Sequence, residues 1–314
     1  MFKLTSSDNT GNKPEALDNT GINPAAPDYW FTCLTWNIEG FSRSKYSLSR
    51  FLCLYSSDFV FLAEPMLFQC DVNQEMELLK GDYCFTLNSD DMLDPELPLT
   101  QQRANGGTMA LWKRNLDQYV TVFPSPSSSI LPIVFAPPNQ LPALLLTIYL
   151  PTAGRDAEFV EEITNLNNII YELWEKYPDA MLFLRGDANA NPKDIKRVDN
   201  IGKLCEDWSL IKTSIEHPTY HHFVGEGMSD SELDVLLHSV DAPEELIRII
   251  CKMNDPLVTS HHDILLSRFA TPCLRHQVPP ACHPPAPRVQ NTRAKILWSE
   301  PGIHAYQSCR ETEI

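Results

Sequence analysis

The stretch "FLRGDANANP" (183–192) closes an apolar run, 180–184, with a glycine, an acid and two asparagines that alternate with alanines. The apolar run predicts a buried β-strand. Because side chains at i and i+2 of an extended chain lie on the same side, Asp187 and Asn189 should point the same way. Gly186 would let the backbone approach its neighbours closely. We interpret the two polar side chains as candidates for a functional site, since a core has no use for them.

Other apolar runs also begin or end at a polar residue. These residues are Asn37, Glu64, Tyr149, Asp234 and the segment "SHHD" (260–263). A single polar residue at a strand end is usually a turn or cap residue, but strands that lie side by side bring such residues to one rim. Carboxylates that cluster there raise one another's pKa values unless a cation lies between them. Oxygen ligands of this kind favour Mg²⁺ or Mn²⁺.

Predicted strands and helices alternate from residue 31 to residue 269. Strands are predicted at 31–38, 58–64, 106–113, 118–123, 130–136, 143–150, 180–187, 233–239 and 264–269, and helices at 45–57, 72–80 and 156–177. The helix at 156–177 carries apolar residues at steps of three and four. Consecutive hairpins in the middle of an otherwise mixed chain predict two stacked sheets flanked by helices.

The chain divides into four predicted regions. Residues 1–29 contain a near-duplicated, turn-rich decamer and should form a disordered leader. Residues 30–269 have the size of one large domain. A proline-rich linker is predicted at 270–292, and residues 293–314 should form a short helical segment that starts a truncated downstream region.

Charge and composition narrow the classes of function. A net charge of −16 opposes non-specific binding to DNA phosphates, so a phosphate-handling function would need metal ions. A basic collar around the strand-end rim could supply local attraction; its candidates are Arg103, Lys113, Arg114, Arg155, Lys193, Lys196 and Arg197. The alternative is that these charges are merely scattered over the surface.

Cysteine usage and apolar runs give further limits. The nine cysteines contain no CxxC pair, which favours reduced thiols in a cytosolic or nuclear protein. Cys273, His276, Cys282 and His283 lie close together, but their spacing matches no standard zinc site. No signal peptide and no apolar run of membrane-spanning length is predicted.

Six short motifs, in order, resemble the endonuclease/exonuclease/phosphatase superfamily. They are "WNIEG" (36–40), "LAEP" (62–65), "IYLPT" (148–152), "RGDANA" (185–190), "SELDVLL" (231–237) and "SHHD" (260–263). Within the superfamily the chain is most similar to the endonuclease domains at the N-terminus of non-LTR (LINE-type) retrotransposon polyproteins. The resemblance implies a deoxyribonuclease-like, four-layered α/β sandwich of two mixed sheets flanked by helices.

The resemblance also implies roles for the strand-end residues. Glu64 would be the main metal ligand for Mg²⁺ or Mn²⁺, with Asn37 beside it. Asp187 would orient and deprotonate the attacking water. The remaining implied roles are phosphate binding by Asn189 and Tyr149, and stabilisation of charge on the phosphorus by His262, whose tautomer Asp234 would fix.

One motif departs from the family. The family commonly ends in Ser-Asp-His, whereas this chain reads Ser260-His261-His262-Asp263, so a histidine takes the place of the acid. His261 could ligate Mn²⁺ or Zn²⁺ but suits Mg²⁺ poorly. Either the metal preference has shifted or the site has partly decayed.

The resemblance implies a metal-dependent endonuclease that nicks target DNA and leaves a 3′ hydroxyl for reverse transcription. Its partner would be DNA, the chain would be continuous with a reverse transcriptase region in a longer polyprotein, and the location would be nuclear, otherwise cytoplasmic. The alternatives are a phosphomonoesterase or phospholipase of the same superfamily and a decayed, transposon-derived binding module.

Overall fold

The computed structural model describes residues 29–89, 104–224 and 227–272. Almost all of the predicted leader, most of the predicted linker and the whole predicted helical segment (293–314) lie outside these residues. Two predicted boundaries shift slightly, because the first strand begins at Tyr29 and the last continues to Thr271. In the described part of the chain, no helix combines the length and the apolar character that a membrane span requires.

Two sheets form the centre of the molecule. The strands are β1 Tyr29–Asn37, β2 Phe59–Ala63, β3 Tyr83–Asn88, β4 Thr108–Lys113, β5 Val120–Val122, β6 Ile130–Phe135, β7 Ala143–Tyr149, β8 Met181–Asp187, β9 Leu210–Lys212, β10 Tyr220–Val224, β11 Gly227–Ser231, β12 Asp234–Ser239, β13 Glu244–Ile250 and β14 Ile264–Thr271. The first sheet has the order β13-β14-β1-β2-β4-β3 and the second the order β5-β6-β7-β8-β12-β9, while β10 and β11 pair as a separate ribbon.

Helices cover the outer faces of the two sheets. They are α1 Phe41–Tyr55, the single-turn α2 Val72–Glu75, α3 Asp156–Lys176 and α4 Ile195–Trp208. The apolar face of α1 packs on the first sheet and those of α3 and α4 on the second. Each sheet therefore buries one face under helices and the other against its partner sheet, which confirms the predicted four-layered α/β sandwich.

Aromatic side chains fill the space between the sheets. Phe59 and Phe61 of the first sheet meet Phe135 and Phe183 of the second, and the Phe183 ring lies 4.7 Å from that of Phe269. Burying each such side chain stabilises the fold by about 1.5–3 kcal/mol. This interface fixes the relative position of the two sheets and thereby of the residues at their strand ends.

Strand direction brings the predicted site residues to one rim. Strands β1 and β2 run parallel and place Asn37 opposite Ala63, so Glu64 follows immediately. In the second sheet β7 and β8 run parallel and pair Tyr149 with Asp187. The prediction that the polar strand ends converge is confirmed.

Several elements differ from the predicted ones. The predicted helix 72–80 is one α-helical turn followed by a 3₁₀ turn, Met76–Leu78. Strands β3, β9, β10, β11 and β13 and helix α4 were not predicted, since their sequences are short or rich in polar residues. Helix α4 begins at a capping residue, since the Asp194 carboxylate accepts a hydrogen bond from Arg197 N at 3.3 Å.

Gly186 allows β7 and β8 to approach closely at the rim. Its φ of +134° lies in the region that favours glycine, and a Cβ at this position would lie 2.1 Å from Ile148 O. The backbone oxygen cannot move without breaking the sheet that carries Asp187. The close approach expected from the sequence is therefore confirmed.

A substitution at Gly186 should destabilise the fold strongly. We expect Gly186→Ala to lower the free energy of unfolding by about 3 kcal/mol or more, because it adds a backbone clash to an unfavourable φ. Gly202, in α4, has no atom within 4 Å of a built Cβ, so Gly202→Ala should raise it by roughly 0.5–1 kcal/mol. Urea unfolding measures both. Equal stability of Gly186→Ala and wild type would contradict the expectation.

Candidate active site

Asp187 lies at the centre of the rim and is almost fully buried. Its Oδ1 accepts a hydrogen bond from Asn189 N at 2.8 Å. Its Oδ2 accepts from Asn37 Nδ2 at 2.9 Å and from Asn189 Nδ2 at 3.1 Å. Three amide donors therefore hold the carboxylate in one orientation.

Asn189 reaches Asp187 by a turn rather than along the strand. Strand β8 ends at Asp187, and Asn189 has a φ of +47°. Its side chain folds back and also donates to Leu150 O at 2.8 Å. The two side chains do meet, but the expectation that strand alternation brings them together was wrong. In this structure Asn189 positions Asp187.

Asn37, Glu64 and Tyr149 form the second part of the rim. The Asn37 amide nitrogen lies 3.1 Å from Glu64 Oε1 and 2.9 Å from Asp187 Oδ2. One amide therefore bridges the two carboxylates, one from each sheet. The Tyr149 pKa is raised well above its ordinary value, first by burial and then by the charge of Glu64, to which the Tyr149 hydroxyl is hydrogen-bonded.

His262 and Asp234 form the third part of the rim. His262 Nδ1 lies 2.9 Å from Asp234 Oδ2, and His262 Nε2 lies 3.7 Å from Asp187 Oδ2. The backbone N–H of Asp234 donates to Thr219 Oγ1 at 3.2 Å. The imidazole is thus oriented by Asp234 and faces the Asp187 carboxylate.

Burial and neighbouring charges have opposite effects on the pKa values of His262 and Asp187. Burial lowers the pKa of His262, but the carboxylates of Asp234 and Asp187 more than offset this and raise it to about 9. Burial raises the pKa of Asp187 from 3.8 to about 7, although the His262 charge opposes the shift. His262 therefore carries a positive charge near neutral pH.

The raised pKa of Asp187 makes a prediction for metal-free protein. Because its pKa is higher in the fold than in the unfolded chain, its stabilising contribution is complete below pH 3.8 and is lost as the pH rises through about 7. An asparagine stays neutral throughout. We therefore expect the Tm of Asp187→Asn, relative to wild type, to rise across this window in chelator-containing buffer.

Thermal unfolding at a series of pH values measures this difference. The matched control is Asp179→Asn, which changes an exposed acid in the turn before β8 and should keep a constant offset from wild type. A constant offset for Asp187→Asn as well would contradict the assigned pKa shift.

His261 pairs with a glutamate that was not singled out in the sequence. His261 Nδ1 lies 2.9 Å from Glu39 Oε2, and His261 N donates to the same oxygen at 3.0 Å. Glu39 has a φ of +44° and its backbone N donates to Asn37 Oδ1 at 3.2 Å. The histidine in the place of the usual acid is thus accompanied by a carboxylate from the "WNIEG" motif. The acid within that motif was the available signal.

Tyr220 is a second residue that sequence reasoning missed. Its ring lies 4.8 Å from the ring of His262. Its pKa is raised, first by burial and then by the charges of Glu39, Asp187 and Glu64. The residue lies on β10, a strand that was not predicted, and no polar strand end marks it.

The predicted basic collar is only partly present. Lys113 and Arg114 lie at the other end of the first sheet, because β4 runs antiparallel to β2 and only its beginning, Thr108, faces Ala63. Arg197 is buried and donates to Asn189 O and Thr152 O, so it supports the site from within. The collar prediction was wrong for these three residues, and Arg103 lies outside the described residues.

Three of the predicted cations do lie near the rim. Lys193 and Lys196 line a cavity of about 610 Å³ that is also lined by Asn189 and Tyr220. Arg155 is close enough for its charge to act on Tyr149. We call this cavity the lysine groove.

The donor chemistry of the rim fits a hard divalent cation. Glu64 and Asp187 converge on one Asn37 amide, which donates to both carboxylates. The side-chain oxygens of these residues and of Glu39 are the ligands that Mg²⁺ and Mn²⁺ prefer. His261 Nδ1 is engaged by Glu39.

Solved structures of the same architecture were found by comparison of the folds. The endonuclease domain of TRAS1, a telomere-specific non-LTR retrotransposon, aligns with a TM-score of 0.53 at 13% identity over 76% of this chain and 98% of that domain. The apurinic (AP) endonuclease LMAP from Leishmania major aligns with a TM-score of 0.57 at 13% identity, over 77% of this chain and 88% of that one. This chain has the endonuclease/exonuclease/phosphatase fold.

A further example of this fold is an endonuclease/exonuclease/phosphatase family protein from Leptotrichia buccalis. It aligns with a TM-score of 0.57 at 14% identity over 76% of this chain and 99% of that one. No protein-family model matches the sequence, and no curated protein matches it significantly. The likeness is therefore one of fold.

Proposed function

We propose that the chain is a divalent-metal-dependent phosphodiester hydrolase that nicks DNA. The observation that carries the proposal is the arrangement of Asp187, His262 and Asp234 at the sheet rim, with His262 Nε2 3.7 Å from Asp187 Oδ2. A buried carboxylate of raised pKa is suited to accept a proton near neutral pH. A charged histidine beside it is suited to stabilise developing negative charge.

Each residue of the rim has a separate role in the proposed phosphodiester hydrolysis. Asp187 accepts a proton from water as the water oxygen attacks phosphorus, and Asn37 and Asn189 hold that carboxylate in place. His262 donates a hydrogen bond from Nε2 to a phosphoryl oxygen, since its Nδ1 is held by Asp234. The bond from phosphorus to O3′ breaks and the O3′ oxygen takes up a proton from solvent water, which leaves a 3′ hydroxyl and a 5′ phosphate.

A bound metal would be held by Glu64 and Asn37, with Asp187 and Glu39 nearby. When bound, a divalent ion neutralises charge on the phosphate and lowers the pKa of a coordinated water. Such an ion would also offset the repulsion between the substrate phosphate and a protein with a net charge of −16. Glu64 is suited to this role because its neighbour Tyr149 hydrogen-bonds the carboxylate and fixes its direction.

The lysine groove supports a polymeric substrate. Lys193 and Lys196 lie beside Asn189 and would contact phosphates that flank the one being cleaved. A phosphomonoester with a single phosphate has no such flanking phosphates. The use of the nick to prime reverse transcription, continuity with a reverse transcriptase region and a nuclear location remain part of the proposal and follow from the motif resemblance.

The deciding experiment is a nicking assay on supercoiled plasmid with Mg²⁺ or Mn²⁺. We expect relaxed circles with at least one of the ions and none from Glu64→Ala. Inositol phosphates and sphingomyelin serve as competing substrates. Release of phosphate or phosphocholine without nicking would support the phosphatase or phospholipase alternative. A Glu64→Ala variant that binds Mn²⁺ as well as wild type would support the decayed module.

Glu39 should matter for metal binding. It places a carboxylate against His261, where the family commonly has an acid at the histidine's own position. We expect Glu39→Gln to weaken Mn²⁺ binding by about tenfold or more. The substitution removes a carboxylate that either ligates the ion itself or orients His261 as a ligand. Calorimetric titration of Mn²⁺ measures this independently of nicking. The control, Glu77→Gln, changes an exposed acid that pairs with Lys80, and an equal loss there would contradict the role.

A further inference from the structure

A second cluster of ligand-type side chains lies behind the active site. His221 Nε2, Cys251 Sγ and an Asp263 carboxylate oxygen all lie within 4.8 Å of one another. They come from three separate segments: β10, the residue after β13 and the residue before β14. His221 and Asp263 are buried and Cys251 is half-buried. The proposed hydrolysis uses none of the three.

The spacing of the three donor atoms suits a tetrahedral metal ion. His221 Nε2 lies 3.1 Å from Asp263 Oδ2 and 3.9 Å from Cys251 Sγ. Bonds to zinc of about 2.0–2.3 Å put neighbouring ligand atoms about 3.3–3.8 Å apart. Shifts of a few tenths of an ångström in side-chain position would therefore complete the geometry on these edges.

Two further contacts orient the ligands. His221 Nδ1 lies 2.8 Å from Asp230 Oδ1, which is the carboxylate–histidine pairing that accompanies metal-bound histidine. Asp263 Oδ1 accepts a hydrogen bond from Lys252 N at 2.8 Å, so Oδ2 remains to face the cluster. The carboxylates of Asp230 and Asp263 thus contact the two ring nitrogens of His221. A cation between His221 and Asp263 would balance the negative charge of these carboxylates.

We propose that His221, Cys251 and Asp263 bind one Zn²⁺ ion, at a site separate from the Mg²⁺ or Mn²⁺ site. A nitrogen, a sulfur and an oxygen ligand favour zinc over magnesium, and the partly exposed Cys251 leaves a path for entry and a fourth position for water. The ion would tie the β10–β11 ribbon to the turn that carries His262. Backbone bonds already join these parts, from His221 N to His261 O at 2.8 Å and from Asp263 N to Thr219 O at 2.7 Å.

The site can be tested on the full chain without any measurement of nicking. Chelator-treated protein in excess Mg²⁺ is titrated with Zn²⁺ and, separately, with Co²⁺, whose bond to a thiolate gives a near-ultraviolet charge-transfer band. We expect one tightly bound Zn²⁺ per chain and a Co²⁺–thiolate band in the wild type. Cys251→Ala should lose the band and bind Zn²⁺ at least about tenfold more weakly.

Control variants separate this site from the other thiols. Cys205→Ala, which removes a half-buried cysteine on α4, and the double variant Cys273→Ala/Cys282→Ala, outside the described residues, should both behave as wild type. Asp230→Asn retains all three ligands and should weaken Zn²⁺ binding by about 10–100-fold, which keeps the test open if Cys251→Ala does not fold. Absence of zinc binding by the wild type, an unchanged band in Cys251→Ala, or its loss in the Cys273/Cys282 double variant would overturn the proposal.

Discussion

Asp187→Asn should lower the rate of plasmid nicking by at least about 10³-fold, within the range expected for loss of a positioned proton acceptor. The substitution retains the size of the side chain and leaves an amide where the carboxylate accepts bonds from Asn37 and Asn189. What it removes is the capacity to take a proton from water. Single-turnover nicking with saturating metal and DNA measures the chemical step directly.

The comparison needs a matched change in the same element. Asp179→Asn lies in the exposed turn at the other end of β8 and should nick at the wild-type rate. Circular dichroism and Tm of Asp187→Asn establish that the fold is intact. If the folded variant retained more than about a tenth of the wild-type rate, Asp187 would not be the proton acceptor.

The part of the site that could be predicted lies where apolar strands stop. Runs such as 58–63 and 180–184 are hydrophobic enough to identify buried strands. A polar residue directly after such a run must lie at the end of the strand, at the edge of the sheet. Asn37, Glu64 and Asp187 were found in this way. Their convergence follows from parallel pairing of β1 with β2 and of β7 with β8.

The part that could not be predicted depends on long-range pairing within polar sequence. Strand β10 reads "YHHFV" (220–224) and has no apolar alternation, so neither Tyr220 nor His221 could be placed. Glu39 follows β1 in a turn with a φ of +44°, and its partner His261 lies far along the chain. Such contacts are properties of the folded molecule and leave no local periodicity.

The error over Lys113 and Arg114 has the same origin. A charge at a strand end can be identified from sequence, but which end of the sheet it occupies depends on strand direction. Strand β4 is antiparallel to β2, so its last residue lies far from Glu64. Direction also explains the agreement elsewhere, because Asp234 begins its strand and still faces Asp187 across an antiparallel pair.

His262→Gln should lower the single-turnover nicking rate by about 10²–10⁴-fold, because it removes the charged group that faces Asp187. Glutamine keeps a polar side chain in the buried position between Asp234 and Asp187 but cannot carry a positive charge. Asp234→Asn keeps the imidazole and weakens its charge and orientation, and the loss should be smaller.

Coupling between these two residues is the sharper test. If Asp234 acts through His262, as the 2.9 Å contact indicates, the double variant should be no slower than His262→Gln alone. The rate of Asp234→Asn should also begin to fall at a lower pH than that of wild type, since loss of the Asp234 charge removes a cause of the raised His262 pKa. Multiplicative losses in the double variant, with an unchanged pH profile for Asp234→Asn, would show that the two residues act separately.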